Sequence, residues 1–134
     1  MTLTARQNGQ MSLVIECLFI DCVDLAAMTT FWCEALALDH VWTGPSGGHL
    51  LVAPDGSERR LALMPGGEVK SAKNRIHFDL RPHDQQVEVR RLESLGARRV
   101  DIGQAEVTWV VMADPEGNEF CVLRSLAEKE RARS

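Results

Sequence analysis

Residues 13–38 read LVIECLFIDCVDLAAMTTFWCEALAL, and this stretch decides the fold. Its first ten residues, Leu13 to Cys22, are apolar and rich in β-branched and aromatic side chains, the composition of a buried strand. Asp24 then supplies a short carboxylate able to accept from the free N–H groups at the start of a helix. Beyond it Leu25, Met28, Phe31, Trp32, Ala35 and Leu36 recur at helical spacing and make one apolar stripe. The pattern predicts a helix from Leu25 to Leu38 with Trp32 in the core.

Toward the C-terminus three short extended segments follow, His40–Thr43, His49–Ala53 and Arg60–Met64, divided by the turn-forming strings GPSGG and PDGSE. The last two are expected to form a hairpin about Pro54-Asp55-Gly56. The order then repeats. NRIHFDL predicts a strand over Arg75–Arg81, Asp84 caps a second helix in QQVEVRRLESLGA, and Gly96 stands where a left-handed C-terminal cap belongs. ARRVD, VTWVVM and NEFCVL complete three further strands, the last following the DPEGN turn of residues 114–118.

The caps Asp24 and Asp84 lie 60 residues apart, and the same offset sets Cys17 opposite His77. Such an internal repeat predicts an α+β fold of tandem βαβββ modules side by side. One domain spans about residues 11–126, with module one over about 12–65 and module two over about 74–124. The polar segments 1–10 and 127–134 are expected to be flexible tails. One helix covers one face of a four-stranded sheet, so the two uncovered faces are expected to line a shared cleft.

Because neighbours on a strand point to opposite faces, each strand divides into two sets. Ile76, Phe78 and Leu80 are assigned to the helix layer, and His77, Asp79 and Arg81 to the cleft. The last strand sends Phe120 and Val122 inward and Glu119, Cys121 and Leu123 to the cleft, and the first turns Cys17, Phe19 and Asp21 the same way. A carboxylate beside an imidazole orients it for proton transfer near neutral pH, which makes His77 a candidate base with Asp79 or Glu119 as its partner. Trp42 and Trp109, on strands beside turns, and Met64 and Met112, at strand ends, are candidate ligand contacts. His40, His49 and His83 lie near turns or helix starts and read as solvated.

Composition narrows the partners. Fifteen basic and nineteen acidic residues give a net charge of −4 with no basic block, which disfavours a nucleic acid backbone. No apolar run approaches the roughly 20 residues that cross a bilayer, so no membrane partner and a cytoplasmic location are expected. The four cysteines, Cys17, Cys22, Cys33 and Cys121, form no CxxC pair and are expected as thiols.

With βαβββ twice over and the strings FIDCVDLAAMTTFWCEAL, NRIHFDL and DPEGNEFCVL, the chain resembles the vicinal oxygen chelate superfamily, in its small glyoxalase-like and bleomycin-resistance-like branch, over about Ser12 to Leu123. The resemblance implies two modules around a cleft, which holds a divalent metal in the glyoxalases, extradiol dioxygenases and fosfomycin-resistance proteins and a drug in the bleomycin-resistance proteins. It places metal-ligand positions at Cys17, His77 and Cys121, and a further carboxylate on the fourth strand, where this chain has RRLALMP. Only His77 keeps a usual ligand. No metal or other cofactor is therefore expected, and Cys17 and Cys121 read either as small apolar fillers or as two members of a soft zinc site. The resemblance also implies a homodimer.

The expected function is binding of a small organic ligand between the modules, with Cys17, Phe19, Trp42, Met64, Trp109, Met112 and Cys121 as contacts. Metal-independent acid–base chemistry of an isomerase or lyase kind would rest on His77, Asp79 and Glu119. The alternatives are sequestration of a drug or metabolite without turnover, and a metal-dependent lyase or transferase with an atypical centre.

Overall fold

The computed structural model describes residues 6, 7 and 9–133, the first two by backbone alone. A two-residue ladder joins β1 (Arg6–Gln7) to β2 (Gln10–Met11). Module one then runs β3 (Phe19–Cys22), α1 (Leu25–Leu36), β4 (Asp39–Thr43), β5 (His49–Val52) and β6 (Arg60–Pro65). Module two runs β7 (Asp79–Leu80), α2 (Gln85–Ser94), β8 (Arg98–Arg99), β9 (Val110–Ala113) and β10 (Glu119–Val122), and α3 (Leu126–Arg131) follows. The sheets have the strand orders β3-β6-β5-β4 and β7-β10-β9-β8. Each module's first strand pairs in parallel with its last, Phe19 opposite Ala62 and Asp79 opposite Cys121, and the other pairs are antiparallel. The sequence offset of 60 thus carries Phe19 onto Asp79 in the same place of the same ladder.

Four boundaries differ from expectation, each for a local reason. Only Phe19–Cys22 of the apolar run 13–22 is laddered, the ladder's edge being marked by Leu18 O accepting from Ala62 N; Leu13 and Ile15 stand exposed. In NRIHFDL the ladder holds Asp79 and Leu80, with Phe78 O also accepting from Cys121 N, and Ile76 is exposed rather than turned to the helix layer. Helix α1 ends at Leu36, since Ala37 takes a left-handed conformation (φ 53°) and the N–H groups of Ala37 and Leu38 both return to Cys33 O. The C-terminal tail contains α3: Ser125 Oγ accepts from Glu128 N, and Glu128 Oε1 accepts from Gln85 N at the start of α2, so the segment is docked.

Both helices are capped as the sequence requires, Asp24 accepting from Ala27 N and Asp84 from Val87 N. Gly96 closes α2 at φ 114°. The apolar stripe of α1 forms the centre of one core shared by the modules, in which Met28, Phe31 and Trp32 meet Val89, Leu92, Phe120 and Val122. Trp32 lies edge-on to Phe31, Phe78 and Phe120, with centroids 4.9, 5.7 and 5.4 Å away. Met112 is fully buried in this core, because the alternation of β9 turns Val111, not Met112, to the open face. It is therefore not placed as a ligand contact.

The DPEGN turn ties the modules together. Glu116 accepts from Val23 N (2.8 and 3.0 Å) and Asp24 N (2.7 Å), setting a carboxylate at the start of α1. The buried Asp114 accepts from Glu116 N, from the backbone and side chain of Asn118, and from Trp32 Nε1 at 3.2 Å. Arg91 of α2 donates to Glu34 O and Ala35 O at the end of α1. No hydrogen-bonded ladder joins the two sheets among the described residues, so these contacts and the core hold the halves in register. None of the described helices is long and apolar enough to cross a membrane.

Of the histidines expected to be solvated, His40 is exposed but His49 is half-buried, and the two rings form a pair. His40 and His49 stack with centroids 3.8 Å apart, and His49 Nδ1 lies 2.9 Å from Thr29 Oγ1 on α1. Burial, and then the neighbouring His40, hold His49 below the usual value of 6.5. The unfolded chain therefore binds a proton that the folded chain resists, and stability falls as pH drops through about 6.5 toward the lowered value. The melting temperature should decline over that range, and His49→Asn should flatten the decline; an equal slope in the variant would exclude His49 as its source.

Candidate ligand-binding site

The strand alternation and the register of β7 against β10 build one polar cluster. His77 and Asp79 lie two residues apart, on one face, with His77 Nε2 and Asp79 Oδ1 separated by 3.5 Å. Cys121 stands opposite Asp79 across the parallel ladder. One nitrogen, one oxygen and one sulfur from these three residues lie within 4.8 Å of one another. His77 and Asp79 are about half exposed whereas Cys121 is buried, so the strand anchors the sulfur and solvent reaches the other two groups. Burial, and then the nearby carboxylate of Asp79, push the Cys121 thiol up, against a smaller opposing pull from Lys73. It is held as a thiol.

The cluster borders a recess of about 250 Å³ whose apolar wall is made by Ile102, Trp109 and Leu123, with Lys73 at its edge. Glu119 faces the same recess but does not serve His77. Its carboxylate is held by Lys70 Nζ at 2.7 Å and Asn74 N at 3.0 Å. Burial would raise the Glu119 carboxyl, but these hydrogen bonds outweigh it and hold it below the usual carboxylate range. Of the two partners expected for His77, Asp79 is in place and Glu119 is taken by the segment between the modules. Lys70, Lys73 and Asn74 escaped the sequence reading because they lie outside any periodic element, where alternation carries no information.

The remaining expected contacts are on module one. Cys17, Phe19, Trp42 and Met64 line a separate recess of about 270 Å³. A β-carbon on Gly44 would stand 2.9 Å from the Trp42 ring, so the glycine is what lets that indole lie across the backbone. A groove of about 280 Å³ runs between the modules and shares Phe19 with the first recess and His77 and Glu119 with the second. The single cleft expected from sequence is thus two recesses joined by a groove. Cys17 is absent from the His77 cluster; Asp79 occupies the third place in it. The four cysteines are unpaired thiols.

Two βαβββ modules, each closed by a parallel pair of first and last strands, give the chain the fold of the vicinal oxygen chelate proteins. The chain belongs to the glyoxalase-like domain family, whose model matches residues 17–123. It is similar in fold to a glyoxalase/bleomycin resistance protein/dioxygenase family enzyme from Burkholderia phytofirmans PsJN, at 16% identity and a TM-score of 0.60, covering 80% of this chain and 94% of that one. It is also similar to a mutant of the fosfomycin resistance protein FosX from Listeria monocytogenes, complexed with Mn(II) and 1S,2S-dihydroxypropylphosphonic acid, at 15% identity and a TM-score of 0.67, covering 92% and 98%. A glyoxalase-related enzyme from Fulvimarina pelagi matches at 17% identity and a TM-score of 0.59, covering 84% and 87%. No curated protein matches the chain.

The Mn(II) of FosX raises the question of a metal here. Manganese is a hard ion that suits carboxylate, carbonyl and water oxygens. The His77 cluster offers one carboxylate beside an imidazole and a thiol, and Glu119 is already held by Lys70. This donor set does not fit a manganese centre.

Proposed function

We propose that the chain binds a small organic ligand in the recess of module two and that His77, oriented by Asp79, acts on it as a general acid and base. The observation that carries this reading is the 3.5 Å approach of Asp79 to His77 on the floor of a recess walled by Trp109 and Ile102. A carboxylate beside an imidazole orients the ring for proton transfer. An apolar wall holds the body of a ligand, and the few polar groups orient it. The reaction class that suits this arrangement is removal of a proton from a carbon next to a carbonyl and its return to a neighbouring position, an isomerisation. The recess of module one, lined by Phe19, Trp42 and Met64, supports the alternative of sequestration without turnover.

The test is a screen of small carbonyl compounds by thermal shift, in the presence of a chelator, on the wild-type chain and on His77→Ala. The variant should lose binding by at least about tenfold, equivalent to ~1.4 kcal/mol. Its own melting temperature should stay close to that of the wild type, since a half-exposed side chain contributes little packing. Undiminished binding in the variant, or a loss of stability of several kcal/mol, would give His77 a structural role instead.

A further inference from the structure

We propose that the organic ligand of module two is an anion, its carboxylate or phosphate held by Lys73 and Arg98 in a second recess that adjoins the first. The inference rests on the reading of His77 above and gives that ligand its chemical class.

A recess of about 580 Å³ opens beside the one that His77 borders, and Lys73, Ile102 and Glu119 form their common edge. Strand register explains why a cation from the far side of the sheet reaches it. Arg98 stands opposite Ala113, and Ala113 opposite Glu119; two residues further along, Val111 stands opposite Cys121. Arg98 and Glu119 therefore share the open face with Cys121, about 6.6 Å from its row. The row between them turns to the helix layer, where Arg99 meets Glu93 and Gln86 of α2. The segment 70–73 crosses the same open face. A β-carbon on Gly117 would stand 3.8 Å from Lys70 Cδ and 3.9 Å from Arg98 Nη2, so the two basic side chains converge over the DPEGN turn.

The engagement of each charge decides which can serve a ligand. Three carboxylates line the recess, and each has donors of its own. Glu119 is paired with Lys70 at 2.7 Å, Glu116 accepts from Val23 N and Asp24 N, and Asp101 accepts from Gly103 N at 2.8 Å. Lys73 and Arg98 are exposed and form no ion pair with any described residue. The recess of module one differs in this respect, since its Arg60 is tied to Glu16 at 3.2 Å. Two cations without a counter-ion, at the end of an apolar cavity, suit a ligand with one anionic end. Such an anchor also fixes which carbon faces His77, the positioning that proton transfer requires. The chain as a whole carries a charge of −4 and repels anions, so binding is expected to depend on these two groups.

The experiment has two arms. In the first, inorganic phosphate and acetate are titrated separately into the full chain at constant ionic strength, against chloride, and followed by amide NMR. Saturable shifts are expected in the segments 70–73 and 98–102, and the anion that saturates first identifies the group preferred. Lys73→Gln combined with Arg98→Gln should weaken this binding at least about tenfold. Arg90→Gln combined with Lys129→Gln removes the same charge from exposed positions on α2 and α3 and should leave it unchanged. In the second arm, benzoylpropionate and benzoylbutyrate are compared with their methyl esters. The acids should bind at least about tenfold more tightly, and the Lys73/Arg98 double variant should erase the difference. No saturable anion binding, a loss matched by the control variant, or esters that bind as tightly as the acids would each overturn the proposal. Acid binding that depends on Lys73 and Arg98 but is unchanged in His77→Ala would support the anion site and sink the reading of His77 as the base.

Discussion

Trp32→Ala is expected to destabilise the protein by about 3–5 kcal/mol, the usual cost of removing a large aromatic side chain from a core. Trp32 is 1% exposed and touches Phe31 as well as Phe78 and Phe120 of the other module, so its removal opens a cavity at the contact between the halves. A domain of this size commonly has only about 5–15 kcal/mol in all, and the variant should lose a large part of it. Urea unfolding would measure the change. A loss below about 1 kcal/mol would show that the two halves are held by their hydrogen bonds and not by the indole.

Asp114→Asn is the second large effect, expected at about 2–3 kcal/mol. The two oxygens of Asp114 receive only donors: Glu116 N, Asn118 N and Asn118 Nδ2 at Oδ1, and Asn118 Nδ2 and Trp32 Nε1 at Oδ2. An amide in either orientation turns its own N–H groups toward one of these sets, leaving buried donors facing each other. The charge is held at a cost, because burial pushes the Asp114 carboxyl above its ordinary value despite the four donors. Trp32→Phe should remove the indole donor while keeping most of the ring. If the indole and the carboxylate act as a unit, the double variant Trp32→Phe with Asp114→Asn should cost less than the two single changes added. Full additivity would mean that the 3.2 Å contact between them carries no energy.

These two residues also separate what is local from what is not. Trp32 was legible as core because its helical spacing with Met28 and Phe31 is a property of consecutive residues. Asp114 was legible as part of a turn, but its bond to a tryptophan 82 residues away was not. The same division runs through the candidate site. Alternation along NRIHFDL placed His77 and Asp79 on one face, and the module repeat implied a neighbouring strand carrying Cys121. It could not foresee that Lys70 would capture Glu119, that Cys17 would lie in a different recess, or that β9 would turn Met112 inward.

By itself, then, the sequence determined the doubled βαβββ order, both helix caps, the core stripe of α1 and the face that His77 and Asp79 share. Each follows from the period of side chains along one segment or from the chemistry of a turn, and such signals survive in one dimension. Only the tertiary structure decided which polar groups meet, where the ladders stop, and that the open faces form two recesses joined by a groove. Those outcomes depend on the register of strands far apart in the chain and on the loops that cross between them, whose positions the folded packing alone sets.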